Sequence, residues 1–320
     1  MIARRGLLIH PEEIGEYWLK RLENSGLNLL GIHPVGGPQA ADTLVEAIAF
    51  MSKAENLLLL DRYKDSGLEI EYEIHAMSWL LPRDLYEKHP EMFRMDVNGT
   101  RTNDFNLCTS NKDALDCIEE RAERLAGIFV PTTDRYYFWT DDVKDMCCCC
   151  KECRKLSPSD QAMTIYNTIL RGIKKANPQA MHCYLAYNET MAPPGRVEPE
   201  DGIFLEFAPI RRDSAVPIDD DTCSLNGSEI ASLAGLLDCF GRRNAQVLEY
   251  WIDNSRFSGW RKPPQMLVLN SDVMKRDVEF YHSMGFESIT SFACYLGEDY
   301  YRLHGEPPLE EYSHILQNAG

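Results

Sequence analysis

The sequence predicts a TIM barrel, an α/β fold of eight parallel strands with interleaved helices, and three observations carry this prediction. Short β-branched or aromatic segments alternate with amphipathic segments along the whole chain, a pattern typical of repeated βα units. Eight strand segments can be counted, and 320 residues suit a barrel of about 250 residues with insertions. No GxGxxG or GxxxxGK motif follows a strand, so the alternative of an open, nucleotide-binding sheet lacks its usual signature. One barrel domain is therefore expected over residues 1–320.

The strands and helices can be placed in order along the chain. The predicted strands are residues 6–10, 27–33, 68–75, 135–141, 180–187, 202–207, 245–251 and 287–294. The segment after the first strand has Pro11 at a first-turn position, acids early, bases late, and Gly26 where a helix C-cap glycine belongs. The segment before the eighth strand ends on Gly285 in the same way. The longest strand-to-helix loops, 76–111 and 143–159, are expected to be functional because long loops in compact domains usually are.

Acidic residues dominate the charge of the chain. Lys and Arg number 33 against 50 Asp and Glu, a formal net charge of −17, which argues against a nucleic-acid partner. No stretch approaches the ~20 apolar residues that cross a bilayer, so no membrane partner is expected. The eleven cysteines, an odd number in a chain whose start does not resemble an export signal, favour reduced thiols or metal ligands and a cytoplasmic location.

The ends of the predicted strands hold imidazoles, acids and aromatic rings. In a TIM barrel the functional residues lie at the C-terminal ends of the strands. In this chain they are His10, His33, His75 with Trp79, Asp141 with Asp142, Tyr187 with Asn188 and Glu189, Glu206, Glu249 with Tyr250 and Trp251, and Tyr295. Aromatic faces stack on sugar rings, and paired carboxylates can protonate a leaving oxygen and stabilise an oxocarbenium-like centre. The set indicates carbohydrate chemistry, although any single histidine also suits a hydrogen-bonded strand end.

Four carboxylates are candidates for the catalytic groups. Asp141 and Asp142 fall at a strand end, where two consecutive residues can approach one site. Glu206 and Glu249 lie in otherwise apolar strands, where an ionised side chain is costly unless it is paired or placed at the barrel mouth. Each glutamate is therefore interpreted either as a second catalytic carboxylate or as part of a structural salt bridge.

Several motifs resemble one protein family. These are, in order, "HAMSWLLPRDLYEKHPEMFRMDVNGTR", "FNLCTSN", "FWTDDVKDMCCCCKEC" and "ILRGIKKANPQAMHCYLAYNETMAPP". The HPE with a following Gly-x-Arg, the Leu-Cys pair and the acid before C-x-C-x-x-C resemble the bacterial domain-of-unknown-function family 4838. Its members are similar to TIM-barrel glycoside hydrolases related to hexosaminidases and α-glucuronidases. The resemblance runs from about residue 75 to residue 297.

The resemblance implies a barrel that acts on glycosidic bonds, in some members on N-acetylhexosaminides by substrate-assisted cleavage. In hexosaminidase-like barrels the matching strand ends in an Asp-Glu pair, the first orienting the acetamido group and the second acting as general acid. Asp141 and Asp142 take these positions here, with Asp in place of Glu. Glu206 or Glu249 would supply a second carboxylate. The residues expected to bind the sugar are His33, His75, Trp79, Tyr187, Asn188, Tyr250, Trp251 and Tyr295.

A cluster of cysteines follows the acidic pair. The spacing C-x-C-x-x-C selects Cys148, Cys150 and Cys153, and Cys108 in the preceding long loop could be a fourth ligand. Four thiolates suit a closed structural Zn²⁺ site, which has no open position for catalysis. The alternatives are a buried cluster of thiols that pack as small apolar side chains, and a cysteine nucleophile beside His75 or His182.

Three hypotheses of function follow. The first is a glycoside hydrolase that acts on an oligosaccharide or glycoconjugate with no cofactor needed for catalysis. The second is a barrel that binds carbohydrate without cleaving it, suggested by the Asp in place of Glu. The third is a zinc-containing hydrolase. The oligomeric state is left open.

Overall fold

Eight parallel strands form a closed barrel in the computed structural model, which describes residues 2–318. Neighbouring strands in the barrel are also neighbours in the chain, and the first strand pairs with the eighth to close it. Helices interleave with the strands. The predicted TIM barrel is therefore confirmed.

The strands and helices have the following bounds. The strands are β1 Arg4–Ile9, β2 Leu29–Ile32, β3 Glu69–His75, β4 Arg135–Trp139, β5 Met181–Ala186, β6 Ile203–Phe207, β7 Gln246–Glu249 and β8 Ser288–Phe292. The helices are α1 Glu16–Leu22, α2 Ala40–Met51, α3 Ala54–Asp65, α4 Met77–Leu80, α5 Lys112–Ile128, α6 Pro158–Ala176, α7 Ser224–Ile230, α8 Leu233–Phe240, α9 Asn254–Phe257, α10 Ser271–Ser283, α11 Glu298–His304 and α12 Leu309–Gln317. No helix in this part of the chain combines the length and the apolar character that a bilayer span needs.

All eight predicted strands exist, but most end one or two residues earlier than predicted. Side chains cause this at two strand ends, because they take the backbone N–H groups that would continue the ladder. The N–H of Asp141, after β4, donates to the Asn106 side chain at 3.0 Å. The N–H of Tyr250, after β7, donates to the carboxylate of Glu249 at 3.1 Å. The parallel ladder therefore ends before Asp141 and before Tyr250.

The inside of the barrel contains a hydrogen-bonded polar layer. The single hydrogen of the Tyr137 hydroxyl has two acceptors within reach, Glu71 at 2.8 Å and the Gln246 amide oxygen at 3.1 Å. Glu206 accepts from the Trp139 indole at 2.9 Å and from the Gln246 amide at 3.1 Å. Burial raises the pKa of Glu206 to about 7, against the opposing effect of the Trp139 hydrogen bond. Glu206 therefore belongs to the packed interior, where its two oxygens are already hydrogen-bonded by the protein.

Candidate functional site

A cavity of about 860 Å³ opens at the C-terminal end of the strands, the side on which TIM barrels carry their functional residues. Five strand residues line it, the side chains of Trp139, Leu185, Leu248 and Phe292 together with His75 at the end of β3. The segments after the strands supply its other polar groups, among them His10, His33, Asp142, Lys144, Tyr187, Asn188, Arg211, Tyr250, Asp253, Arg256 and Tyr295. Seven of the predicted site residues are in this set: His33, His75, Asp142, Tyr187, Asn188, Tyr250 and Tyr295.

Three histidines of the cavity share one hydrogen-bonding arrangement. The Nδ1 atoms lie close to backbone carbonyl oxygens, at 2.8 Å for His10, 2.9 Å for His33 and 2.7 Å for His75. Because a carbonyl oxygen only accepts, each Nδ1 carries a proton, so Nε2 is the ring nitrogen that can accept a hydrogen bond when the imidazole is neutral. Burial, with the charges of His75 and His10, lowers the pKa of His33 well below its usual value. His33 is therefore a neutral hydrogen-bond acceptor, suited to a sugar hydroxyl.

Asp142 faces the cavity with one oxygen held by the protein. Its Oδ1 accepts from the Tyr187 hydroxyl at 2.8 Å. Gly36, in the loop after β2, leaves room for the other oxygen: a side-chain carbon there would come within 3.3 Å of Asp142 Oδ2 and 2.9 Å of the His75 ring. A larger residue at position 36 would therefore fill the space between the imidazole and the carboxylate.

Asp253 is a second carboxylate in the cavity. Its Oδ1 accepts from the Ser255 hydroxyl at 2.6 Å and from the Arg256 N–H at 3.3 Å, so it also caps α9. Burial raises its pKa. Tyr250 also lines the cavity. Burial raises the pKa of its hydroxyl, and so do the nearby charges of Tyr187, Asp142 and Asp253. Asp142 and Asp253 are the only carboxylates among the described residues that line the cavity.

Asp141 and Trp79, predicted to act on the substrate, lie outside the cavity lining. Asp141 accepts from the Asn106 N–H at 2.6 Å and from Arg83 at 3.2 Å, and burial raises its pKa. It therefore ties the long loop after β3 to the end of β4. The ring of Trp79 in α4 lies under the Arg121 guanidinium, 4.2 Å from its centroid, and packs against α5.

Glu249 and Trp251 also lie outside the cavity. Both are buried, and their contacts are with residues between the barrel and the surrounding helices. Successive strand residues point to opposite faces, so Leu248 faces the cavity and Glu249 faces away. Glu249 pairs with Arg212 at 2.7 Å and accepts from Tyr281 at 2.6 Å. Arg212 also pairs with Asp277 of α10 at 2.6 Å, and Asp277 accepts from the Trp251 indole at 2.8 Å. For Glu249 the structural alternative, a buried salt bridge, is the one the contacts describe.

Several cavity residues were not selected from the sequence as site residues. His10 was noted only as a strand end, and Lys144 lies in a loop singled out for its length alone. Asp253 follows the predicted end of β7 by two residues, so it is not among the residues at the predicted strand ends. Arg211 lies in the loop after β6 and Arg256 in α9 after β7, and no local motif marks either residue. An acid before a short helix, as at Asp253, is the one signal that could have been read, because such residues cap helices.

Four buried cysteines, here called the cysteine cluster, come together in the loops after β3 and β4: Cys108, Cys148, Cys150 and Cys153. Their sulfur atoms all lie within 4.8 Å of one another. The Cys108 sulfur is 3.8 Å from that of Cys150 and 3.9 Å from that of Cys153. Zinc–sulfur bonds of about 2.3 Å in a tetrahedron separate the sulfurs by about 3.8 Å. The cluster, which the sequence selected, could therefore hold a metal ion.

Backbone and side-chain contacts hold the loops of the cysteine cluster in place. The Met95 N–H donates to the Cys148 sulfur at 3.3 Å, and the Cys149 N–H donates to the Met95 carbonyl at 2.7 Å. Gln161 in α6 accepts from the Cys148 N–H at 2.9 Å and donates to its carbonyl at 3.2 Å. The Arg101 guanidinium lies 3.8 Å from the Cys148 sulfur, where its positive charge would stabilise a thiolate. The cluster thus joins the loop after β3 to the loop after β4, which contains Asp142.

The fold is similar to those of solved glycoside hydrolases. The β-galactosidase of the psychrophilic Marinomonas ef1 aligns with a TM-score of 0.53 and 11% identity over 98% of this chain and 59% of that one. A family 5 xyloglucanase from Paenibacillus pabuli gives 0.52 and 10% over 99% and 98%. The O-GlcNAc hydrolase of Thermobaculum terrenum gives 0.52 and 13% over 98% and 59%. This chain thus spans 59% of the length of the galactosidase and of the O-GlcNAc hydrolase. At such identities the likeness shows the fold.

Among curated proteins none is significantly similar to this chain. One protein-family model, described as "Domain of unknown function (DUF4838)", matches residues 47–302. The matched region begins in α2 and ends in α11, so it includes strands β3 to β8 and both loops of the cysteine cluster. Because it covers well over half of the chain, the protein belongs to the DUF4838 family, as its sequence motifs predicted.

Proposed function

We propose that the protein cleaves glycosidic bonds in the cavity at the C-terminal end of the barrel. The observation that carries this proposal is the pair of carboxylates there, Asp142 and Asp253, surrounded by imidazoles and aromatic rings. Cleavage of a glycoside needs one group that protonates the leaving oxygen and one that faces the developing oxocarbenium centre. The likeness to glycoside hydrolase barrels supports the same class of reaction.

Each of the two carboxylates keeps one oxygen for a ligand. Tyr187 holds Oδ1 of Asp142, and Ser255 with the Arg256 N–H holds Oδ1 of Asp253. Among the described residues, neither Oδ2 has a hydrogen-bond donor. One oxygen of each group is thus oriented by the protein while the other is left for the substrate, which is the arrangement that acid-base chemistry requires.

The environments of the two carboxylates suggest different roles. Burial raises the pKa of Asp253, so this group stays protonated to higher pH and suits the proton donor. Asp142 is oriented by the Tyr187 hydroxyl, with Oδ2 left toward the cavity, which suits the carboxylate that faces the sugar carbon. On cleavage, the proton of Asp253 passes to the glycosidic oxygen as the carbon–oxygen bond breaks. A water molecule then adds to the sugar carbon and gives up one proton, which restores the proton that the pair of carboxylates has lost. The proposed general acid is therefore Asp253, whereas the sequence resemblance implied that Asp142 has this role.

The remaining lining residues suit a sugar ring. The Nε2 atoms of His10, His33 and His75 accept hydrogen bonds from hydroxyls. Tyr250 stacks against Phe292, with ring centroids 5.4 Å apart, and its face or edge is available to an apolar face of the sugar. The proposed substrate is therefore an oligosaccharide or a glycoconjugate.

The test is release of a phenol from a panel of aryl glycosides that includes glucosides, galactosides, N-acetylglucosaminides and glucuronides of both anomers. Turnover of at least one member by the purified protein is expected. If the folded protein binds a sugar from the panel and releases no phenol from any, the catalytic proposal fails and a carbohydrate-binding barrel takes its place.

We further propose that the cysteine cluster binds a structural Zn²⁺. Four sulfur ligands close the coordination sphere, so the ion would stabilise the loops and leave the bond cleavage to the carboxylates. Met95 and Arg101 donate toward the Cys148 sulfur, as groups around thiolate sites do. The ion would hold the loop after β3 against the loop after β4, which begins beside Asp142.

Protein purified without tags or chelators is expected to contain one zinc per chain. Replacing Cys108 by Ser should lower the zinc content and the melting temperature, because a structural metal contributes its binding energy to folding. Cys239→Ser, a half-buried cysteine in α8 away from the cluster, is the matched control and should keep both values. A native protein that contains no zinc and gains no stability when zinc is added contradicts the proposal.

A further inference from the structure

The cavity has a charge opposite in sign to that of the chain. The net charge of the protein is −17. Three cationic side chains nevertheless line the cavity, Lys144, Arg211 and Arg256, against the two carboxylates Asp142 and Asp253. A neutral sugar needs no such excess, because imidazole, amide and phenol groups already serve its hydroxyls. A local excess of positive charge attracts anions.

These cations are not paired within the protein. Among the described residues none of the three has a carboxylate oxygen within 4.0 Å. Arg211 donates through Nε to the amide oxygen of Asn188, which also lines the cavity, at 2.8 Å. The Arg256 guanidinium lies 5.6 Å from the centroid of the Tyr250 ring. Arg212, the next residue after Arg211, instead has two carboxylates at 2.7 and 2.6 Å.

The two arginines reach the same cavity from segments that follow neighbouring strands. Arg211 follows β6 and Arg256 lies in α9 after β7. The charges of both arginines affect Glu229. Burial raises the pKa of Glu229, and the hydrogen bond from the Arg211 N–H together with the two guanidinium charges opposes this rise. Glu229 accepts that hydrogen bond at 3.2 Å and does not line the cavity. The terminal Nη atoms of both arginines have no acceptor among the described residues, so they are available to a ligand.

We propose that the cavity takes an anionic sugar whose carboxylate or sulfate group is bound by Arg211 and Arg256. This inference rests on the proposed function and names its substrate class. Guanidinium groups hold such oxyanions through parallel N–H donors, which a lysine cannot match. The neighbouring Asn188 and Tyr250 place the anionic substituent on the β5–β7 side of the cavity. Lys144, after β4, adds a further positive charge at the mouth.

The experiment compares three ligands by calorimetric titration: methyl glucuronide, glucose 6-sulfate and the neutral methyl glucoside, with both anomers of the methyl glycosides. The protein is expected to bind an anionic ligand roughly 10- to 100-fold more tightly than the neutral one, the range for hydrogen bonds to charged groups. The double variant Arg211→Gln with Arg256→Gln should remove this preference, so that the anionic ligands bind no more tightly than methyl glucoside does to the same variant. If Arg256→Lys replaces Arg256→Gln in the double variant, part of the preference for anionic ligands should return. Arg243→Gln, an exposed arginine in the loop before β7, is the matched control.

The outcomes separate this inference from the proposed function. A stronger preference for the uronate or for the sulfate supports the inference and identifies the anionic group. Equal affinity for neutral and anionic sugars, unchanged in the arginine variants, overturns the inference while the proposed glycosidase stands. If no sugar of either kind is bound or cleaved, the proposed function fails and the inference fails with it.

Discussion

Replacing Asp142 by Asn is expected to lower the rate of glycoside cleavage by roughly 10²- to 10⁴-fold, the range for removing a positioned catalytic group. The variant keeps the shape of the side chain and its contact with Tyr187, so sugar binding should change little. The substitution removes the negative charge that faces the oxocarbenium centre, and this loss is felt in the transition state rather than in the ground state. The measurement is kcat and KM for the aryl glycoside that the wild-type protein cleaves best.

The leaving group distinguishes the two carboxylates. Asp253→Asn should slow substrates with poorly acidic leaving groups and spare those whose phenol needs no proton, because only the proton donor is lost. Asp142→Asn should slow both kinds of substrate. The reverse pattern would make Asp142 the proton donor, as the sequence resemblance implied. An unaltered rate in Asp142→Asn, with the exposed Asp221→Asn as the control, would remove Asp142 from the mechanism.

Replacing Arg212 by Leu is expected to lower the free energy of unfolding by about 3–5 kcal/mol, the cost of leaving buried charges without their partner. The Arg212 side chain is 1% exposed and lies between Glu249 and Asp277, which are 1% and 0% exposed. Without the guanidinium, two buried carboxylates lie close together without a positive charge. Their remaining donors, the Tyr281 hydroxyl, the Trp251 indole and the backbone N–H groups of Tyr250 and Ile218, are all neutral. Chemical denaturation of the variant and the wild type measures the difference.

The stability loss in Arg212→Leu should depend on pH. Burial, and then the charge of Glu249, raises the pKa of Asp277 to about 6 even with Arg212 present. Removing Arg212 raises it further, so the native state holds a proton that the unfolded chain has released. The stability of the variant therefore falls as the pH rises from about 4 through this raised pKa, and the deficit is largest at neutral pH and above.

A partner substitution tests what Glu249 does. Adding Glu249→Gln and Asp277→Asn to Arg212→Leu should recover much of the lost stability, because no uncompensated charge remains. Glu249→Gln alone should keep the catalytic rate of the folded protein. A stable Glu249→Gln protein without activity would instead restore Glu249 as a catalytic group, as first predicted from its place in the sequence.

The barrel and its motifs could be predicted from the chain alone because they depend on local pattern. Eight strands with helix caps between them leave few ways to fold, and the strand ends follow from where the apolar runs stop. His33, His75, Asp142 and Tyr187 were found in this way, and all four line the cavity. The cysteine spacing likewise selected the four thiols that the structure brings together.

The direction of each side chain at the strand ends was decided by the tertiary structure. Glu206 points into the packed barrel and Glu249 points outward to Arg212, so two acids that look alike in the sequence have different partners. Asp141 is held by Asn106, about thirty-five residues away in the chain. One residue of shift in a strand reverses the face of every side chain, and strand ends set by side-chain hydrogen bonds are not visible in a local pattern.

The sequence by itself thus determined the fold, its family and the acid at the end of the fourth strand, because hydrophobic period and motif spacing are local properties. Only the tertiary structure decided that Asp253, Arg211 and Arg256 share one cavity with Asp142. These residues come from loops far apart in the chain, and closure of the barrel is what brings the loops together.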